Sequence, residues 1–347
     1  MAAVKVGING FGRIGRLVAR AMSQRPGEFD IVAINDMGSS PRVHAHLFKY
    51  DSAHGQFAGT VEHDETSLLI NGDRIRVCAE RDPARLPWGD LGATVVIEST
   101  GVFTKRNDGK KAGYDDHIKA GAKKVILSAP AKDTIDATVV LGVNDETLKP
   151  NHTFVSNGSC TTNCLAPLIK IMADNPDVFG SKIDGLMTTI HAYTNDQRIL
   201  DQVHGEDLLR ARTAAVNIIP SSTGAAKAIG LVIPNENIRL DGFAFRVPVP
   251  DGSVVDLTVT LEKEVDVESV NGLFKKAAAS GPLSGIMQYL DEPLVSGDIV
   301  GNPHSSVFDC SRTMVRGRLL KLVSWYDNEW GFSNRVGDLA LRLAAMA

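Results

Sequence analysis

The stretch Val4-Lys5-Val6-Gly7-Ile8-Asn9-Gly10-Phe11-Gly12-Arg13-Ile14-Gly15 constrains the fold more than any other. Its alternating Val and Ile residues read as a buried strand. That strand runs straight into a G-x-G-x-x-G turn, after which Ile14, Leu17, Val18 and Met22 recur at helical spacing. Glycines at such a junction let the backbone come close to a pyrophosphate. The helix N-terminus adds unpaired N–H groups and a favourable dipole. Alone, a turn of this kind is a common loop. Here a second strand, Asp30 to Asn35, ends in Asp36, about 20 residues beyond the last glycine, where a carboxylate accepts bonds from adenosine ribose hydroxyls. Together, strand, turn, helix, strand and acid predict a dinucleotide site.

The segments ATVVIESTG (93–101), KKVILSAP (123–130) and ATVVLGV (137–143) read as further strands, with KAGYDDHIKAGA (111–122) partly helical. Alternating strands and helices predict an α/β fold, a Rossmann-type doubly wound parallel sheet with its ligand at the carboxyl ends of the strands. Ser99-Thr100-Gly101 and Ser128-Ala129-Pro130 close such strands and are expected to face the cofactor. The polar segment Lys105 to His117 reads as a solvated surface excursion.

With 347 residues the chain has room for two domains. Its net charge of -4 supplies no basic field for nucleic acid. No apolar run is long enough for a bilayer. The opening MAAVKVGING lacks the charged-then-apolar pattern of a secretory signal, so none is expected. Four cysteines, Cys78, Cys160, Cys164 and Cys310, do not make a disulfide framework in a chain this long. A reducing, cytoplasmic setting is the expectation.

HTFVSN reads as a strand ending at Gly158-Ser159-Cys160, and Thr161 to Met172 as a long apolar helix in which Pro167 is tolerable only near the first turns. Cys160 thus falls at a helix N-terminus, where dipole and free N–H groups favour thiolate. Cys164, one turn further on the same face, reads as a buried thiol. A helical i, i+4 pair suits a disulfide poorly, and zinc needs ligands the neighbourhood lacks. The pair is therefore expected to be one nucleophile and one structural companion, with no metal. A nucleophile needs a base. The strand Leu186 to Ile190 leads into His191, followed by polar residues, which makes His191 the candidate.

INGFGRIGR, INDMG, KYDSAHG, SAPAKD, SNGSCTTNCLAP, HAYTNDQR, IIPSSTGAAKAIG, RVPVPDGSVVDL and WYDNEWGFSNR, in this order, resemble phosphorylating glyceraldehyde-3-phosphate dehydrogenases over nearly the whole chain. The resemblance implies that Cys160 adds to the aldehyde as a thiohemiacetal. His191 holds Cys160 as thiolate, takes the hydroxyl proton as hydride leaves for nicotinamide, and helps the Cys160 N–H to stabilise the oxyanion. Inorganic phosphate then attacks the thioester and releases 1,3-bisphosphoglycerate. Thr194, Arg210 and Arg246 are implied at the substrate phosphate. Ser159, Thr161, Thr223 and Gly224 are implied at the attacking phosphate. Gly10, Gly12, Arg13, Ile14, Asp36, Arg81, Ser128 and Asn328 are implied at NAD, with Asn328 on the carboxamide. A discontinuous cofactor domain (1–159 and 324–347) and an α+β catalytic domain (160–323) with a mixed or antiparallel sheet are implied too. The C-terminal segment, with Val336, Leu339, Leu343 and Met346 on one face, is expected to pack on the first domain. Asp36, with no cation after it, favours NAD over NADP. Gln202-Val203, in place of the Leu-Pro often found there, favours NADP more weakly. The weakly patterned stretch from Tyr193 to Pro220 carries apolar residues expected to be buried in a homotetramer. An erythrose 4-phosphate dehydrogenase would carry nearly the same residues. A non-catalytic nucleotide-binding protein would not need the cysteine and histidine.

Overall fold

The computed structural model describes residues 2–205 and 207–347. Two compact units emerge. The first holds the residues up to Val139 together with Glu146–Ser159 and Ser333–Ala347; the second holds Val140–Asp145 and Cys160–Phe332. The chain thus returns to the first unit at Ser333, later than the expected 324. The cause is the strand Leu319–Tyr326, which is bonded into the second unit's sheet.

Among the described residues the first unit is built on a nine-stranded sheet. Its centre is β1 (Val4–Asn9), β2 (Phe29–Asn35), β3 (Val95–Glu98), β4 (Lys124–Leu127) and β5 (Phe154–Ser156), running in the order β5-β4-β3-β1-β2. All of these neighbours are parallel. Such strands are buried on both faces and so read as continuous apolar runs. Val6, Ile8, Val95, Val96, Ile97, Val125, Ile126 and Leu127 are all fully buried. Helix α1 (Arg13–Ser23) buries Leu17, Val18 and Met22. From the C-terminal helix, Trp330–Ala344, Val336, Leu339 and Leu343 are buried, and Asp338 pairs with Arg25 at 2.7 Å.

Two sequence expectations fail here. The strand expected over 137–143 is only Ala137–Thr138. Beyond it Asn144 and Asp145 accept from Val140 N–H and Gly142 N–H and fold the chain into a turn, with Val140 and Val143 in the second unit's core. The excursion over Lys105 to His117 is also not wholly solvated. Tyr114, Asp116 and His117 are buried, because Tyr114 and Asp116 have partners in Asp133, Asn107 and Lys119.

Among the described residues the second unit carries an eight-stranded mixed sheet. Its spine is β6 (Ile183–Ala192), β7 (Ile238–Val247), β8 (Ser253–Leu261) and β9 (Leu319–Tyr326). β6 pairs parallel with β7 and antiparallel with β8, and β8 pairs antiparallel with β9. Helix α2 (Cys160–Ala173) packs Leu165, Leu168, Ile169 and Met172 against Val255, Leu257, Leu320 and Leu322. Pro167 sits in the body of α2 rather than its first turns. Burial of the flanking apolar residues offsets the lost hydrogen bond.

Candidate active site

In the first unit, the glycines of the opening motif do three different jobs. Gly10 adopts φ +91°, and a Cβ there would stand 2.6 Å from the Thr100 nitrogen. A Cβ on Gly15 would overlap the Gly10 carbonyl oxygen, so only glycine lets α1 close on the turn. Gly12, the N-cap of α1, meets nothing within 4 Å and has no side-chain cap bond. The first turn of α1 is therefore open to an anion. Asp36 follows β2; its Oδ2 accepts from Phe11 N–H at 2.9 Å and its Oδ1 from Gly38 N–H at 2.9 Å. Each oxygen keeps a further lone pair for a ribose hydroxyl. A cavity of about 380 Å³ is lined by Gly10, Gly12, Asp36, exposed Arg81, Ser99 and Thr100 among others. This cradle fits a dinucleotide. Arg13 is held by Asp51 at 2.7 Å, Ile14 is half-buried in α1, and Ser128, just past β4, donates its N–H to the Glu98 carbonyl at 3.0 Å.

In the second unit, Cys160 is the first residue of α2. Its Sγ lies 3.4 Å from His191 Nε2. His191 is buried inside β6 rather than closing a strand that ends at Ile190. Its Nδ1 lies 2.7 Å from the Ala192 carbonyl. A carbonyl only accepts, so Nδ1 carries the hydrogen and Nε2 presents a lone pair to the sulfur. Register brings the next group. His191 pairs with Arg246 across β6 and β7, and Arg246 Nη1 shares the same Ala192 carbonyl at 3.3 Å.

Cys160 is half-buried at the start of α2. Burial pushes the Cys160 thiol up, and the Arg246 charge and the Thr161 hydroxyl and N–H offset only part of that. Burial, then Arg246, push the His191 imidazole down to about 3. Both shifts disfavour the charged forms. The thiolate arises when the proton moves from sulfur to Nε2, creating two opposite charges in contact. Cys164 behaves as expected for a companion: it is fully buried, and burial pushes its thiol up to about 12. All four cysteines are free.

The anion-binding candidates of this unit are partly gathered. Thr194 donates its hydroxyl to Asp196 Oδ1, and Arg210 Nη1 bonds Asp196 Oδ2 at 2.8 Å. Arg210 also pairs with Asp207 at 3.2 Å. Burial pushes the Asp196 carboxyl up, but Thr194, Arg210 and Arg246 together hold it below the usual range. Thr223 accepts Ala225 N–H at 3.2 Å, beside Gly224, the N-cap of the helix Ala225–Val232. Thr161 shares its hydroxyl with Tyr326 at 2.9 Å. Ser159, half-buried, immediately precedes Cys160. Asn328 Oδ1 accepts from Ser253 Oγ at 2.6 Å, leaving its amide nitrogen as the donor end.

Sequence reasoning missed Tyr326, Ser253 and Asp196. Tyr326 OH bridges Thr161 and Thr189 and meets the His191 ring edge-on at 5.8 Å. Ser253 Oγ accepts Ala192 N–H at 3.0 Å and so ties the histidine strand to Asn328. All three lie inside WYDNEWGFSNR, RVPVPDGSVVDL and HAYTNDQR, stretches whose identity was legible although these roles were not. The apolar residues of the long segment are exposed in the single chain. Ile199, Leu200, Leu208 and Ile218 are each at least 66% exposed, while Ile219 is buried. Val203, beside Gln202, is exposed on the same segment.

Residues 4–106 match the glyceraldehyde 3-phosphate dehydrogenase NAD binding domain, and residues 159–328 match the C-terminal domain of the same family. The chain is 53% identical over 340 residues to a glyceraldehyde-3-phosphate dehydrogenase of Streptomyces coelicolor, covering 97% of this chain and 98% of that one. It is 54% identical over 344 residues to glyceraldehyde-3-phosphate dehydrogenase 1 of Bacillus subtilis, covering 99% and 98%. A plasmid-encoded relative in Cupriavidus necator is 53% identical over 343 residues, covering 98% of each chain.

Proposed function

The chain belongs to the glyceraldehyde 3-phosphate dehydrogenase family, and on that premise we propose how its residues divide the NAD-dependent oxidation and phosphorylation of D-glyceraldehyde 3-phosphate. The observation that carries the reading is the Cys160 sulfur 3.4 Å from a histidine nitrogen whose other nitrogen is tied to a carbonyl. Cys160 Sγ adds to the aldehyde carbon. His191 Nε2 takes the thiol proton and returns it to the carbonyl oxygen, which leaves a thiohemiacetal. NAD, when bound, supplies the hydride acceptor. His191 Nε2 takes the hydroxyl proton as the C–H bond breaks, so the carbon becomes a thioester carbonyl. Developing negative charge on oxygen falls to the Cys160 N–H, at the start of α2, and to the His191 nitrogen. Inorganic phosphate attacks the thioester carbon, the C–S bond breaks, and the sulfur leaves as a thiolate beside the imidazolium. Burial and then Arg246 disfavour the imidazolium, so its proton returns to the sulfur and the starting thiol is restored.

Thr194, Arg210 and Arg246 take the substrate phosphate in this reading, with Asp196 holding Thr194 and Arg210 in register. Ser159, Thr161, Thr223 and Gly224 take the attacking phosphate. Guanidinium forks and hydroxyls are the groups that suit tetrahedral anions. Gly10, Gly12, Arg13, Ile14, Asp36, Arg81 and Ser128 hold NAD, and Asn328 donates to its carboxamide. Asp36 repels a 2′-phosphate, which makes NAD the preferred cofactor; Asp36→Gly should raise NADP use. The exposed Ile199, Leu200, Leu208 and Ile218 are covered in a homotetramer, for which light scattering is the check. Among the described residues no helix is long and apolar enough to cross a membrane, and the cytoplasm is the proposed location.

The test is NAD reduction by glyceraldehyde 3-phosphate with and without phosphate. Steady turnover should need phosphate; without it the reaction should stop after a burst of about one NADH per site, the signature of an accumulating acyl-enzyme. Turnover independent of phosphate sinks the reading. Higher catalytic efficiency with erythrose 4-phosphate would move the substrate assignment to that aldehyde.

A further inference from the structure

Beneath the nucleotide pocket of the first unit lies a buried polar chain that the chemistry above does not use. Trp88 Nε1 donates to His117 Nδ1 at 3.0 Å. The indole N–H can only donate, so Nδ1 must accept and the ring hydrogen stands on Nε2. His117 Nε2 therefore donates to Glu98 Oε2, 3.1 Å away. The same oxygen accepts from Asn9 Nδ2 at 2.6 Å, and Oε1 accepts from Thr100 N–H at 2.8 Å and the Thr100 hydroxyl at 2.5 Å. Trp88 and His117 are fully buried, and Asn9 and Glu98 nearly so. A carboxylate this deep is tolerable because these donors replace its water.

The chain continues to the pocket wall. Asn9 Oδ1 accepts from Asn35 Nδ2 at 2.7 Å, and Asn35 exchanges two bonds with the Glu80 backbone, at 2.8 and 2.9 Å. Asn9, Asn35, Glu80 and Thr100 all line the cavity. The Thr100 nitrogen is also the atom that a Cβ at Gly10 would strike, so the placing of Thr100 sets how tightly the phosphate turn can close. The far end is fixed independently. Gly7 in β1 is where a Cβ would stand 2.6 Å from the Trp88 ring, so its absence lets the indole lie against the strand.

We propose that Trp88 and His117 are positioning residues for the dinucleotide pocket, which act through Glu98 to hold Asn9 and Thr100 on its wall. This rests on the NAD reading of that pocket. Neither residue touches the ligand. Their work is to leave Glu98 one arrangement of donors, so that the wall is set before binding and the ligand does not have to order it.

The experiment measures NAD affinity by calorimetry on the full chain. NAD binding to the unaltered protein tests the underlying reading, and the variants test the inference. His117→Phe fills the ring's space without either bond, and should weaken NAD binding about tenfold, the scale of one net hydrogen bond. His117→Gln keeps an acceptor for Trp88 and a donor for Glu98 and should restore most of the loss. The alkylation rate of Cys160, in the other unit, should not move in either. If folded His117→Phe binds NAD within about twofold of the unaltered chain, or Gln rescues nothing, the inference is overturned. Should His117→Phe fail to fold, nitrogen-15 spectra of the unaltered protein decide. An unprotonated Nδ1 and a slowly exchanging Trp88 indole hydrogen, both already present before NAD is added, support it. A hydrogen on Nδ1, or an indole hydrogen that exchanges freely until NAD is added, overturns it.

Discussion

The dinucleotide pocket of the first unit and the thiol site of the second are built from different materials. The pocket is mostly backbone: a positive-φ glycine, a helix start with no cap, and a carboxylate anchored on two N–H groups. The thiol site is mostly side chains drawn together by sheet register, with Cys160 from a helix and His191, Arg246 and Tyr326 from three strands. Their buried acids differ in the same way. Glu98 is surrounded by donors. Asp327 instead lies against a second acid, Asp251, and burial and then that neighbour push it up to about 8. A backbone site tolerates little change in residue size, while a side-chain site depends on where protons sit.

Cys160→Ser breaks the comparison most sharply. Oxidation should fall on the order of 10⁴-fold or more, because a hydroxyl beside a weak base is a far poorer nucleophile. NAD binding, measured by calorimetry, should stay within about twofold if the two sites are separable. His191→Asn should follow with a loss of about 10²–10⁴-fold in kcat. It should also raise the apparent pKa for iodoacetamide alkylation of Cys160, since the sulfur loses its proton acceptor. An unchanged alkylation profile would remove His191 from thiol activation.

Gly10→Ala attacks the other site. The new methyl meets the Thr100 backbone and forces a strained φ, at a cost of about 1–3 kcal/mol for the strain alone. Thermal melting should fall and NAD affinity should drop steeply, while Cys160 still alkylates at its normal rate. Slowed alkylation would mean that the two sites are not independent.

The smallest effect concerns pH. Folding raises Asp327 from an ordinary 3.8 to about 8, so the native chain binds this proton more tightly than the unfolded chain. The resulting stabilisation is complete below the ordinary value and is lost as pH climbs to about 8. Asp251→Asn removes the like charge yet leaves an amide able to bond Asp327. Melting temperatures across that window should therefore decline less with pH in the variant than in the unaltered protein. Parallel curves would show that the pair is not the source.

The sequence by itself determined the doubly wound sheet, the glycine turn, Asp36, and the roles of Cys160 and Cys164 as a helix-start thiol and its buried companion. These depend on neighbours within a turn or a strand, and local spacing records them. Pro167 in mid-helix and the broken strand after Thr138 escaped it, because distant packing and the turn side chains of Asn144 and Asp145 overrode local preference. So did His117, which sits in a polar stretch that reads as surface and is buried only because Trp88 and Glu98 arrive from other segments. Tertiary structure alone decided that Arg246 stands beside His191 and that Tyr326 bridges two threonines, since strand register, which no local pattern encodes, brings these residues together. It also set the surroundings of the thiol: a helix start favours thiolate, while burial, a property of the whole fold, pushes the Cys160 thiol up.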